Sequence, residues 1–254
     1  MLRLFTLIWI LIAGTGASAA GAGEVTAAVA SNFLSTFRSL TGEFEQTTGH
    51  RVLIVSGSTG KLFAQIIHGA PYEIFLSADT KRPRLLVERG LAESRFTYAL
   101  GKITLWSADP NLIGPSGEDI LQKGTFRHLA LANPKTAPYG LAAKTVLQNL
   151  QLWSHLKPRI VQGENISQAL QFIASRNAEL GFVAVAQILD PKLRLTGSRW
   201  DIPETLYDPI RQDAVLLSRG RDNPAARALI KFLQGPTARA TIQRFGYGFS
   251  GEAP

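Results

Sequence analysis

Four times along the chain a short β-rich run stops at a small or hydroxylated residue and gives way at once to a helical period. That alternation restricts the fold to α/β architectures built on mostly parallel sheets, because each parallel strand needs a crossover to return to the same edge. Val25 to Ala30 reads as a strand, and Phe33, Leu34, Phe37, Leu40 and Phe44 then share one helical face that ends near Gly49. Ser31-Asn32 occupies the junction, where an N-cap belongs. Arg51 to Val55 is the next strand, followed by Ser56-Gly57-Ser58-Thr59-Gly60 and a helix with Leu62, Phe63, Ile66 and Ile67 inward.

The middle of the chain uses the same device. Leu129 to Ala132 reads as a strand, Asn133 to Gly140 as a proline-broken loop, and Leu141 to Leu152 as a helix with Val146, Leu147 and Leu150 inward. Arg159 to Gln162 is another strand, and Gly163-Glu164-Asn165 opens a helix that buries Ile166, Ala169, Leu170 and Ile173. Further strands are expected at Tyr72 to Leu76, within Phe96 to Trp106, at Leu180 to Ile188 and at Ala214 to Leu217. Pro224 to Phe245 reads as two helices broken at Gly235-Pro236.

The first nineteen residues stand apart. Arg3, a run from Leu4 to Ile12 that is apolar except for Thr6, and the small residues Ala17-Ser18-Ala19 have the pattern of a cleaved export signal. The run is too short to span a bilayer, so a free periplasmic protein is expected. The remaining 235 residues could form one sheet, but the long run from Phe96 to Trp106 reads as a strand crossing between two lobes of ordinary domain size, residues 24–100 with 218–254 and residues 101–217.

Composition removes several chemistries. With 254 residues and no cysteine, there are no disulfides, no thiolate catalysis and no cysteine zinc sites. The net charge of +8, or +7 once Arg3 is removed, comes from scattered residues such as Lys81, Arg82, Lys157 and Arg219, without the dense basic stripe of a nucleic-acid binder. His50, His68, His128 and His155 form no metal-binding spacing. Gly57-Ser58-Thr59-Gly60-Lys61 has glycines too close for a phosphate loop, with Leu62 where a magnesium-binding hydroxyl is required. Gly248-Phe249-Ser250-Gly251 is no nucleophile elbow, and Glu73, Asp79, Asp208 and Asp213 read as caps or surface acids.

Helix N-termini at the C-terminal ends of strands remain. Open parallel sheets bind ligands there, and first-turn N–H groups with the axial dipole attract anions. Each end supplies only about 0.3 to 2 kcal/mol, whereas nanomolar binding needs roughly 12 kcal/mol. Several ends must therefore converge. Ser31-Asn32, Ser58-Thr59, Tyr139-Gly140 and Asn165-Ile166 are the candidates.

These segments, with Gly69-Ala70-Pro71-Tyr72, Leu76-Ser77-Ala78-Asp79, Tyr98-Ala99-Leu100-Gly101-Lys102, Asn133-Pro134, Ala137-Pro138-Tyr139-Gly140 and Leu180-Gly181-Phe182-Val183-Ala184, occur in an order that resembles the periplasmic molybdate-binding proteins of ABC importers, the ModA family. The resemblance spans about Glu24 to Phe249. It implies a type II periplasmic binding protein fold, two α/β lobes with the ligand cleft between them, and a monomer that needs no cofactor. It further implies no enzymatic activity, a molybdate or tungstate ligand and delivery to a membrane permease. The implied contacts are Ser31, Ser58 and Thr59, with Tyr139 and Ile166 through their amides and no direct bond to the metal. Some members place a ligand-binding tyrosine where this chain has Ala184; Asn32 is the candidate replacement donor, and Asn32→Ala is expected to cost at least about 1 kcal/mol of binding. A sulfate receptor and a periplasmic phosphatase are the alternatives.

Overall fold

A computed structural model describes residues 22–249. The expected export signal, residues 1–19, lies outside them. In the first lobe, β1 (Glu24–Ala30), α1 (Leu34–Thr48), β2 (Arg51–Gly57), α2 (Thr59–Ile67), β3 (Ile74–Leu76), α3 (Lys81–Glu88) and β4 (Ala92–Gly101) follow in order. The second lobe comprises β5 (Ile103–Ser107), α4 (Gly117–Lys123), β6 (Leu129–Ala132), α5 (Pro138–Asn149), α6 (Trp153–Leu156), β7 (Ile160–Gly163), α7 (Ile166–Ala174), β8 (Leu180–Ala184), α8 (Val185–Ile188) and β9 (Ser198–Asp201). The chain then returns through β10 (Ile210–Leu217), α9 (Pro224–Leu233) and α10 (Pro236–Arg244).

Two five-stranded sheets result, with strand orders β2-β1-β3-β10-β4 and β7-β6-β8-β5-β9. In the first, β1 runs parallel to β2 and β3, while β10 is antiparallel to β3 and β4. In the second, β6 is parallel to β7 and β8, and β5 is antiparallel to β8 and β9. The C-terminal ends of β1, β2 and β3 therefore open on one edge of their sheet, and those of β6, β7 and β8 on one edge of theirs. Ligands bind at such edges.

Strand β1 shows why its sequence reads as it does. Val25, Ala27 and Val29 pack under Phe33, Phe37, Leu40 and Leu229, while Ala28 faces the opposite layer with Leu62, Ile66 and Leu86. A strand covered on both faces reads as a continuous apolar run, and alanines let helices sit close on either side. The second lobe has its own core around Leu105, Leu131, Val146, Leu147, Ile173 and Phe182, which Ala30 and Ala78 of the first lobe also join. Among the described residues, no helix is long and apolar enough to cross a membrane.

Four sequence expectations need revision. The single crossing strand is two strands, β4 and β5, that change sheet at Lys102. The second crossing lies before Ile210, so β10, which the sequence placed in residues 101–217 of the second lobe, belongs to the first sheet. The helix expected from Leu141 starts at Pro138, because a proline at the first helical position gives up an N–H that has no intrahelical partner anyway. The run from Leu180 to Ile188 is strand only to Ala184, where the Gln187 side chain accepts from the Ala184 N–H at 3.0 Å and starts the short helix α8.

Candidate functional site

All six sequence candidates meet at one small cavity between the lobes. Ala30, Ser31 and Asn32 come from the end of β1, Gly57, Ser58 and Thr59 from the end of β2, and Ala78 from the turn after β3. The second lobe contributes Ala137, Pro138 and Tyr139 after β6 and Ile166 after β7. Ser31 is 7% exposed and Asn32, Ser58, Thr59, Tyr139 and Ile166 are 3% exposed or less, so the cavity is walled by buried residues. No Asp, Glu, Lys, Arg or His is among the lining residues described.

At the start of α2, α5 and α7 a residue that lines the cavity carries a first-turn N–H group. In α7 the Asn165 side chain accepts from Ser167 N at 3.0 Å and Gln168 N at 3.1 Å, and Asn165 O accepts from Ala169 N at 3.2 Å. What remains of that turn is the Ile166 N–H. In α2 the Gly60 N–H crosses to Thr136 O of the other lobe at 2.8 Å, and Lys61 and Leu62 both donate to Ser58 O at 3.0 Å, which leaves the Thr59 N–H. In α5 Pro138 has no N–H, so the Tyr139 N–H is the first the turn can offer. Three partial positive charges from three helices thus converge on one space.

The hydroxyls complete the set. Thr59 Oγ1 accepts from Ala78 N at 3.1 Å, which leaves its own proton free to donate to a guest in the cavity that Thr59 lines. Ser58 Oγ is fully buried and has no hydrogen-bond partner among the described residues. A buried polar atom without a partner costs roughly 1 to 3 kcal/mol, and native proteins keep such atoms where a ligand or solvent completes them. Ser58 is the N-cap residue of α2 yet makes no side-chain cap bond. Ser31 and Asn32 likewise lie in a short 3-10 turn with no side-chain cap bond, so the capping role expected of them is not taken up.

Asn32 has a different task from the one its position suggested. Its amide donates to Gln212 Oε1 at 2.7 Å and to the Tyr247 hydroxyl at 3.2 Å, and Tyr247 returns a bond to Asn32 O at 2.8 Å. Both amide hydrogens are committed behind the cavity wall. Ala184 ends β8 and is not a lining residue. Glu164, the carboxylate nearest in sequence, pairs with Lys61 Nζ at 2.8 Å across the lobes and also stays outside the lining. The lobes are further linked by Ser167 Oγ donating to Ser31 O at 3.2 Å.

Residues 25–248 match the profile of the family described as bacterial extracellular solute-binding protein. The molybdate-binding protein ModA of Azotobacter vinelandii is 49% identical over 247 residues, which are 96% of this chain and 98% of that protein. ModA of Rhodobacter capsulatus is 46% identical over 230 residues, 90% of this chain and 89% of that protein. The chain belongs to the ModA family of molybdate-binding proteins. The solved structure of the Azotobacter vinelandii periplasmic molybdate-binding protein superposes with a TM-score of 0.85 at 43% identity, covering 89% of this chain and 99% of that one. Two α/β lobes of mixed sheet are thus the ModA fold, and the relatives are solute-binding proteins.

Three features of this ModA-family site were not legible in the sequence. Ala78 serves through its main chain, by fixing the Thr59 hydroxyl. Gly60 lets the two main chains touch, since a Cβ there would lie 3.0 Å from Thr136 Cα. Gln212, from the far end of the chain, holds Asn32. Only the helix start had a readable sign: Pro138 directly before Tyr139-Gly140 is the pattern of a first helical turn.

Proposed function

We propose that this protein captures molybdate, and tungstate with it, in the periplasm as a monomer and delivers it to the permease of an ABC importer. It performs no catalysis on its guest. The contacts proposed are the hydroxyls of Ser31, Ser58 and Thr59 and the main-chain N–H groups of Asn32, Thr59, Tyr139 and Ile166. The observation that carries this reading is a buried cavity lined with donors and no carboxylate, imidazole, ammonium or guanidinium group, toward which a partnerless Ser58 hydroxyl and three helix ends converge.

Donor-only geometry selects the class of guest. A fully deprotonated tetrahedral dianion accepts at every oxygen, whereas hydrogen phosphate carries a proton that needs an acceptor, and no lining carboxylate supplies one. Sulfate has the same charge and no proton, so the distinction from sulfate rests on size alone. Without cationic side chains at the cavity, attraction comes from main-chain dipoles among buried residues, where each is stronger than in solvent.

A thermal-shift panel of molybdate, tungstate, sulfate, phosphate and chromate tests the reading, because a ligand that binds only the folded state raises the melting temperature. Molybdate and tungstate should raise it at micromolar concentration while phosphate leaves it unchanged. Competition by sulfate at equal concentration would overturn the size argument. Turnover of a phosphate ester that is lost in Thr59→Ala would turn the protein into an enzyme instead.

A further inference from the structure

Behind the cavity lies a buried hydrogen-bonded group that oxyanion binding alone does not require. Gln212 on β10 is fully buried, and Tyr98, Tyr139 and Tyr247 around it are 4% exposed or less. Gln212 Oε1 accepts from Asn32 Nδ2 at 2.7 Å and lies 3.2 Å from the Tyr98 hydroxyl, which also reaches Ser77 O at 3.1 Å. Gln212 Nε2 donates to the Tyr139 hydroxyl at 3.4 Å. Asn32, Tyr98 and Gln212 belong to the first lobe; Tyr139 belongs to the second. One side chain thus touches a cavity residue from each lobe.

The local backbone is shaped for this. Gln212 pairs with Ala99 and Asp213 with Thr97, so the register slips and Tyr98 is left without a strand partner of its own. Such a bulge re-aims side chains, here turning Tyr98 and Gln212 toward the same interior space. Gly101, at the end of the crossing strand, keeps that space open: a Cβ there would stand 2.1 Å from the Tyr139 hydroxyl and 2.8 Å from Gln212 Nε2. The bond to Tyr139 is also the longest that Gln212 makes. It joins a residue of the first lobe to one of the second.

We propose that Gln212 is a positioning residue that couples occupation of the cavity to lobe closure, by holding Asn32 of the first lobe while its amide engages the Tyr139 hydroxyl of the second. The proposal rests on the oxyanion-binding reading above. On this view Tyr139 acts twice, with its main-chain N–H on the guest and its phenol on the hinge. Closing the cleft then makes both bonds together, and losing the phenol bond shortens the life of the closed complex without changing how a guest first meets the open cleft.

The test is a double-mutant cycle of Tyr139→Phe and Gln212→Met, read as molybdate association and dissociation rates by stopped-flow on the full chain. Tyr139→Phe retains the ring and the main-chain N–H, and should raise the dissociation rate about fivefold, the worth of one net hydrogen bond, with the association rate unchanged. Gln212→Met should raise it further, since Asn32 also loses its partner. The double variant should be slower than the product of the two single effects implies, because both changes remove the same Gln212–Tyr139 bond. A purely structural role would lower the melting temperature of the free protein without this kinetic split. Multiplying effects, or a Tyr139→Phe dissociation rate equal to that of the parent, would overturn the proposal even if Gln212→Met fails to fold. Absence of any molybdate binding by the parent protein would instead overturn the functional reading on which it rests.

Discussion

Ser58 shows most plainly how a residue can be kept for something other than stability. Its hydroxyl is buried and unbonded, so the folded protein without guest gains nothing from it. Ser58→Ala should therefore leave the melting temperature of the free protein unchanged or slightly higher, while weakening oxyanion affinity by about 1.5 to 3 kcal/mol, the value of a hydrogen bond to a charged acceptor. Calorimetry beside a thermal melt checks both halves, and a large stability loss without an affinity change would contradict the assignment. Gly60 gives a similar split. Alanine at that second position of α2 improves helix propensity by roughly 1 kcal/mol, yet its Cβ would press on Thr136 Cα and on the Arg82 guanidinium, each at 3.0 Å. Gly60→Ala should melt no lower than the parent and bind oxyanion more weakly, with scattering showing a more open bound form. Ser58 and Thr59 were legible as site residues because hydroxyls at a strand-to-helix turn have few other uses. Asn32 was legible as a site residue but not in its task, because the partners that hold its amide are 180 and 215 residues away in sequence.

At the scale of elements, strand order brings the helix ends of both lobes to one cavity. The cap on α7 shows how finely an end is prepared: Asn165 takes the second and third N–H of the turn and leaves the first. Asn165→Ala should lower stability by about 1 kcal/mol, seen as a smaller urea midpoint, and should also weaken binding, since a fraying first turn no longer aims the Ile166 N–H. Unchanged affinity would mean that the turn is held by packing of Ile166 alone. The apolar faces of α1, α2 and α7 and the strands β1, β2, β6 and β7 were readable from period and composition. Strand β10 was not readable at full length, because Arg211-Gln212-Asp213 looks polar for a strand; its Gln212 and Asp213 are nevertheless fully buried, each satisfied by tyrosine, threonine, asparagine or arginine partners. Nor could local sequence reveal that β4 and β5 part company at Lys102, since each residue there is at home in either sheet.

Across the whole molecule, three tyrosines sit where the two bodies meet, and burial holds the phenols of Tyr98, Tyr139 and Tyr247 well above their ordinary range. In the unfolded chain they ionise near the usual value of 10.0, while the folded protein keeps their protons. Their contribution is thus complete below pH 10 and is lost above it, at up to about 1.4 kcal/mol per pH unit for each phenol. The melting temperature should fall as pH rises beyond 10, less steeply in Tyr139→Phe than in the parent; identical slopes would show that Tyr139 does not take part. Between about pH 6 and 9 no lining group titrates, so oxyanion affinity should stay level, as calorimetry at three pH values would show.

On the proposed assignment Tyr139 and Ile166 meet the guest through main-chain nitrogen, so the letters at those positions are free to drift as long as the turns that aim them persist. Distant proteins can then carry an equivalent receptor spelled with other residues. Comparing side chains position by position would undercount them, and tracing where proline starts a helix and asparagine caps one would find more.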